Sequence, residues 1–292
     1  MVGRRVAIAL TVAVVLLMAA FLAALAHQFA MRDETAIQAI GSATIVRVLG
    51  PDDFASGDFD PDFAVASDGT VVVERDAMLS AVTGGTFGPT ITPLEVHAPD
   101  RITSFALDSN DTMLTIAGRY FGKLDADGTA TSSIPLPYDN AQLAPSAGYG
   151  AVFLFGGTPG DHRLYRFVEN GTLQILLQSN DPIVAAADNP YGVYAATANA
   201  ILKIEAGKPR VLLVVPPDIG AIVSLAVSLD GQLFFSTVTR VYALTAEGAV
   251  SIVNDAGGTL RLRAGRLYVM SRERRMLFSL SPASRALFTQ QP

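Results

Sequence analysis

Apolar positions along this chain follow two regimes. The first is a single block: Val6 to Ala26 holds no charged residue and follows the basic head Met1-Val2-Gly3-Arg4-Arg5. As a helix, a block of that length would span about 31 Å, close to the hydrocarbon thickness of a bilayer. The second regime begins near residue 34. There, short apolar or alternating runs recur between clusters of Asp, Asn, Gly and Pro, and no long amphipathic helical pattern interrupts them. That is the texture of strands and turns.

The first regime predicts one N-terminal helix over 1–26. It reads as an uncleaved signal anchor, or as a secretory signal peptide with Ala24-Leu25-Ala26 at the cleavage site. Arg4 and Arg5 would hold the head in the cytoplasm. The expected location is a bacterial inner membrane, single-pass, with the body in the periplasm or outside the cell. Cleavage would make the protein secreted. Residues 27–57 would form a juxtamembrane stem with a possible ring-closing strand at Ser42 to Leu49. That strand could equally lie outside the ring or begin a partial further unit.

The second regime repeats. The clearest copy runs from Val223-Ser224-Leu225-Ala226-Val227 through the turn Ser228-Leu229-Asp230-Gly231 to Gln232-Leu233-Phe234-Phe235-Ser236. It continues with Arg240-Val241-Tyr242-Ala243-Leu244 and turns at Glu247-Gly248 into Ala249 to Val253. Similar layouts start at Phe63, Ile102, Gly150, Ile183 and Leu260. Fourth strands are expected near 93, 130, 173, 210, 249 and 285, a spacing of about 40 residues. A four-stranded propeller blade needs about that length. One such sheet cannot bury both faces, and a closed ring of them can. The prediction over 58–292 is an all-β fold, a six-bladed β-propeller, with seven blades as the runner-up.

The segment Ala226 to Phe234, with Arg240 to Leu244 and Glu247-Gly248, resembles a blade of the NHL and gluconolactonase-like six-bladed propellers. Tyr165-Arg166-Phe167 with Asn170-Gly171 matches in the same style. The resemblance covers roughly 58–292. For enzymes of the gluconolactonase-like group it implies a central divalent metal held by Glu, Asn and Asp from different blades. Here the first strand, Phe63-Ala64-Val65-Ala66, lacks the glutamate expected near the channel. For NHL-type propellers the resemblance implies a binding surface.

Composition narrows the chemistry. Cysteine is absent, which excludes disulfides and thiolate ligands or nucleophiles. Beyond residue 32, 18 Lys and Arg stand against 27 Asp and Glu, so nucleic acid is not an expected partner. His27, His97 and His162 have no zinc-ligand spacing. His162 beside Asp161 reads as a loop pair that either acts as a base or is merely solvated. Asn180-Asp181 and Asp218 sit at blade junctions, as turn formers or channel-mouth groups. Gly84 to Gly88 and Gly156 to Gly160 lack the lysine of a phosphate loop and read as connections within blades. Asp58-Phe59-Asp60-Pro61-Asp62 is rich in carboxylates but lacks the full calcium-loop pattern. Phe153, Phe155, Tyr194, Phe234 and Phe235 are expected to pack between blades, and Tyr138 and Tyr149, in looser segments, to serve as surface contacts. No catalytic, cofactor or metal residue is assigned.

One feature is electrostatic. Residues 259–292 hold seven arginines and one acid, Glu273. Arg272, Arg274 and Arg275 fall at a predicted hairpin tip, suited to an acidic protein partner or anionic lipid, or to pairing with neighbouring acidic blades of the same chain. The function expected from these features is a noncatalytic, membrane-tethered module that binds protein or organises a complex. The bilayer would hold its N-terminal helix. The alternative is an exported metal-dependent lactonase-like hydrolase with its site in the channel.

Overall fold

The computed structural model describes Met18 and residues 44–281, apart from 55–60, 76–77, 86–87, 99, 126, 145–151, 168–171 and 206. The chain divides into two compact units, Met1–Gln38 and Ala39–Pro292. In the first, Met18 alone is described, and it is helical and exposed. The second unit is the propeller.

Strands form where β-branched and aromatic residues run together, as in Val71-Val72-Val73, and stop at Asp-Gly turns. Gly69 and Gly231 close two of these turns at φ 89°, a conformation that penalises any side chain. The strands number β1 (Thr44–Leu49) and then four consecutive strands per blade. Blade 1 is β2 (Phe63–Val65), β3 (Val71–Arg75), β4 (Met78–Gly85) and β5 (Gly88–Pro93). Blade 2 is β6 (Ile102–Leu107), β7 (Met113–Ala117), β8 (Tyr120–Leu124) and β9 (Ala130–Pro135). Blade 3 is β10 (Gln142–Ala144), β11 (Val152–Thr158), β12 (Asp161–Phe167) and β13 (Leu173–Ser179). Blade 4 is β14 (Ala185–Asn189), β15 (Gly192–Ala196), β16 (Ala200–Glu205) and β17 (Lys208–Val214). Blade 5 is β18 (Ser224–Val227), β19 (Leu233–Ser236), β20 (Val241–Thr245) and β21 (Gly248–Val253).

Blade 6 has three strands in sequence, β22 (Thr259–Arg263), β23 (Arg266–Ser271) and β24 (Met276–Ser281). Its fourth is β1, which pairs antiparallel with β24 from Thr44↔Ser281 to Leu49↔Leu277. The fourth strand expected at Arg285 to Thr289 lies outside the described residues, and β1 takes that place in the sheet. The described residues thus build six sheets, each of four strands, rather than seven.

The core lies between blades. Phe153 and Phe155 pack with Ala195 and Ile204 across blades 3 and 4. Phe235 and Tyr194 pack with Ile201 and Leu225 across blades 4 and 5. Leu49 and Phe63 join Met270 and Leu277 across blades 6 and 1. Phe63, Phe153, Phe234, Phe235 and Phe278 are fully buried, and each such side chain contributes roughly 1.5–3 kcal/mol of transfer free energy. Of the aromatic residues expected between blades, Phe153, Phe155, Tyr194 and Phe235 are there.

Inner strands run from one face of the ring, here the mouth, to the other. At the far face Arg263, at the end of β22, reaches blade 2. It donates to the Asp111 carboxylate at 2.8 Å and to the carbonyls of Asp108 and Ser109. The same carboxylate accepts from the backbone N–H and hydroxyl of Ser67 in blade 1. Burial alone would push the Asp111 carboxyl up. The Ser67 bonds and the Arg263 guanidinium outweigh it and hold the group below its ordinary value of 3.8. A depressed folded pKa stabilises the fold above that ordinary value, and the contribution is lost as pH falls through the lower folded value. Asp111→Asn is therefore expected to flatten the acid limb of a melting-temperature profile below about pH 4, measured by circular dichroism.

One expected element is corrected. A membrane span needs an apolar helix of about 20 residues whose backbone groups are satisfied internally. Among the described residues no helix is long and apolar enough to cross a membrane. The block Val6 to Ala26 falls outside them except for Met18. The single-pass anchor, its bilayer contact and the inner-membrane location therefore have no structural element behind them among the described residues.

Candidate functional site

Six inner strands start at the mouth, so the residues at their N-terminal ends converge on the axis. Asp62, Thr103, Gln142, Val184, Val223 and Thr259, one from each blade, line a cavity of about 230 Å³ there. Its wall also includes Glu74 from the end of β3 and Arg261 from β22. A wider groove of about 720 Å³ lies between blades 4 and 5, around Tyr194, Lys203 and Arg210, but no carboxylate lines it. The mouth joins acid, base and neutral donors in one space, and the groove does not.

Arg261 is fixed on several sides. Its Nη2 meets the Asp62 carboxylate at 2.7 Å, with the arginine side chain only 12% exposed. Nε donates to the Phe63 carbonyl at 3.0 Å and Nη1 to the Leu260 carbonyl at 2.9 Å. Its guanidinium carbon stands 5.4 Å from the centre of the Phe63 ring. Those contacts use three of the five N–H donors of a guanidinium. Asp62 is itself held, since its carboxylate accepts from the Phe63 N–H and its carbonyl from the Glu74 N–H. Glu74 is held more loosely: Arg101, 74% exposed, approaches it at 3.5 Å. Polar backbone support surrounds this set. The Ser104 hydroxyl accepts from the Leu143 N–H, and the Ser224 hydroxyl from the Leu260 N–H.

The residues singled out in the sequence lie mostly elsewhere. Asp161 binds Arg163 through two nitrogens and Gln178 through a third, which holds its carboxyl below the ordinary range. It is thus committed to an arginine rather than poised on His162. Tyr138 packs on Tyr165 between blades 2 and 3. Burial, with Tyr138 close by, pushes the Tyr165 hydroxyl up to about 12. Asp181 and Asp218 are exposed junction residues that do not line the cavity. Gly84 to Gly88 and Gly156 to Gly160 span hairpins within blades 1 and 3. His97 lies in a parallel bridge with Thr129. Of the acidic lead-in, Pro61 and Asp62 line the mouth. His27, Asp58, Asp60 and Tyr149 lie outside the described residues.

The arginine-rich turn between β23 and β24 is corrected. Arg274 Nε donates to the Asp255 carbonyl at 2.8 Å. Arg272 and Arg275 are engaged as well. Arg261 and Arg263 point into the ring as internal ion pairs. Arginine density here serves contacts within the chain, and it is no sign of an acidic partner.

No protein-family model matches the chain, and no curated protein matches it. Solved structures do. A gluconolactonase from Xanthomonas campestris is 17% identical with a TM-score of 0.62, over 83% of this chain and 90% of that one. A luciferin-regenerating enzyme is 11% identical with a TM-score of 0.61, over 83% and 96%. The calcium-binding protein regucalcin from Agrobacterium tumefaciens is 15% identical with a TM-score of 0.58, over 84% and 94%. The chain is a six-bladed propeller whose fold is similar to those of the gluconolactonase, the luciferin-regenerating enzyme and regucalcin.

These likenesses correct the expectation of a noncatalytic tethered module. Catalytic proteins share the fold, and the mouth carries reactive groups rather than a bare surface. They also pose the question of a metal. The mouth offers two carboxylates and the Gln142 amide, but a guanidinium already sits on one carboxylate and on two carbonyls. Among the described residues no three His, Cys, Asp or Glu side chains cluster to hold a metal ion. The residues present do not fit a central divalent cation.

Proposed function

We propose that this propeller is a hydrolase that opens a small, oxygen-rich lactone or ester at the channel mouth. The observation that carries the reading is the meeting of Arg261, Asp62 and Glu74 in one polar cavity. Asp62 fixes the guanidinium. Its two remaining N–H donors hold the substrate carbonyl and then the oxyanion that develops on it. Preorganised donors of this kind contribute about 10²–10³-fold in rate. Glu74, free of so tight a partner, takes the proton from a water that attacks the carbonyl carbon. The tetrahedral adduct collapses, the ring C–O bond breaks, and the leaving alkoxide takes the proton back from Glu74. The products are a carboxylate, a hydroxyl and one proton released to solvent. Thr103, Gln142 and Thr259 supply neutral donors and acceptors suited to substrate hydroxyls.

The gluconolactonase among the fold relatives supports the choice of a lactone. The test is proton release in weak buffer with γ- and δ-lactones of aldonic acids and with an aryl ester. Saturable turnover above the spontaneous rate is expected for at least one lactone. Rates equal to the uncatalysed ones across that set would overturn the reading.

A further inference from the structure

The cavity at the mouth is built of ligands that a hard cation would choose. The Asp62 carboxylate and the Phe63 and Leu260 carbonyls converge from blades 1 and 6 within 2.7–3.0 Å of one group. Carboxylate and carbonyl oxygens in such a cluster are the ligands calcium takes. Here the group at their focus is a guanidinium. We infer that Arg261 is a resident cation that replaces a metal ion: it satisfies these oxygens, supplies the positive charge and keeps divalent metals out.

Three features give the arginine that place. It is largely withdrawn from water, so a second cation beside it would meet repulsion that solvent screens weakly. Its plane is set by donors on all three nitrogens and by the Phe63 ring below it. Lysine could not reproduce that fork, because its ammonium is a point charge. Finally, the strand carrying it begins at the mouth with Thr259 and pairs with β23 at Leu260↔Val269 and Arg261↔Tyr268, which fixes the point on the wall from which the side chain reaches Asp62.

The inference deepens the catalytic reading and rests on it only for the role of the charge; metal exclusion is measured independently of turnover. Wild-type protein, Arg261→Ala and the double variant Arg261→Ala/Asp62→Asn are dialysed against Ca²⁺ or Mn²⁺ and examined by native mass spectrometry. Wild type is expected to bind neither ion stoichiometrically. Arg261→Ala should gain one equivalent at least tenfold more tightly than wild type, and the double variant should lose it again. One tightly bound Ca²⁺ or Mn²⁺ in wild type overturns the inference, whether or not any lactone is turned over. So does a folded Arg261→Ala that gains no ion. Should Arg261→Ala fail to fold, the wild-type measurement and a chelator decide. A wild-type melting temperature that moves neither in EDTA nor in added Ca²⁺ supports the inference, and a fall in EDTA or a rise in Ca²⁺ overturns it.

Discussion

Glu74→Gln is expected to lower kcat for lactone opening by about 10²–10⁴-fold, the usual contribution of a general base. The amide keeps the shape of the side chain but cannot accept the proton from water. KM should change little, because Arg261 and the neutral donors that hold the substrate are untouched. Stability should also hold. The ion pair with Arg101 is long, at 3.5 Å, and its arginine is largely exposed, so its loss costs about 0–1 kcal/mol. Steady-state kinetics and a thermal melt on the same preparation separate the two effects. A kcat within tenfold of wild type would remove Glu74 from the chemistry. Glu74→Asp should fall between, since the carboxylate survives but is set back by one methylene.

The second large effect concerns closure of the ring. A chain beginning at Gly50 lacks β1, leaves the edge of β24 unpaired and strips Leu49 from the core between blades 6 and 1. Leu49 is fully buried, and replacing such a residue with alanine alone costs about 2–5 kcal/mol. Losing the whole strand approaches the total stability of a typical domain, about 5–15 kcal/mol. The truncated chain should show no cooperative melt and should aggregate through the bare edge. Leu49→Ala should melt cooperatively but about 5–15 °C lower, at roughly 2–4 °C per kcal/mol for a chain of this size. A truncated chain that melts like wild type would show that β1 is an ornament to the sheet.

Much of the architecture was legible because blade structure is local. Alternating runs broken by Asp-Gly, as at Asp230-Gly231, mark strands and hairpins within a few residues. The pairing of β1 with β24 is not local. Thr44 to Leu49 reads as a strand and as a possible ring closer, yet nothing near it distinguishes that pairing, with a partner more than 200 residues away, from a place outside the ring. The site was hidden for the same reason. Arg261 looked like one of seven arginines in a basic tail, whereas the ring carries it to Asp62, 199 residues distant. Asp62 looked like part of a solvated acidic run. Glu74 carries no signal of its own, because the family resemblance points to a carboxylate on the first strand of the blade and the fold delivers it from the second. A charged residue within an inner strand, as at Arg261 and Arg263, was the available signal: such positions face the axis or a neighbouring blade, so a cation there needs a partner.

Those two arginines stand two residues apart on β22, and side chains with that spacing share one face of a strand. One grips blade 1 at the mouth and the other grips blade 2 at the far side. A slip of β22 by one residue would turn both cations toward apolar neighbours and leave Asp62 and Asp111 stranded. The pair therefore proofreads the alignment of the last sheet: misthreaded rings are penalised twice, at two points of a single strand.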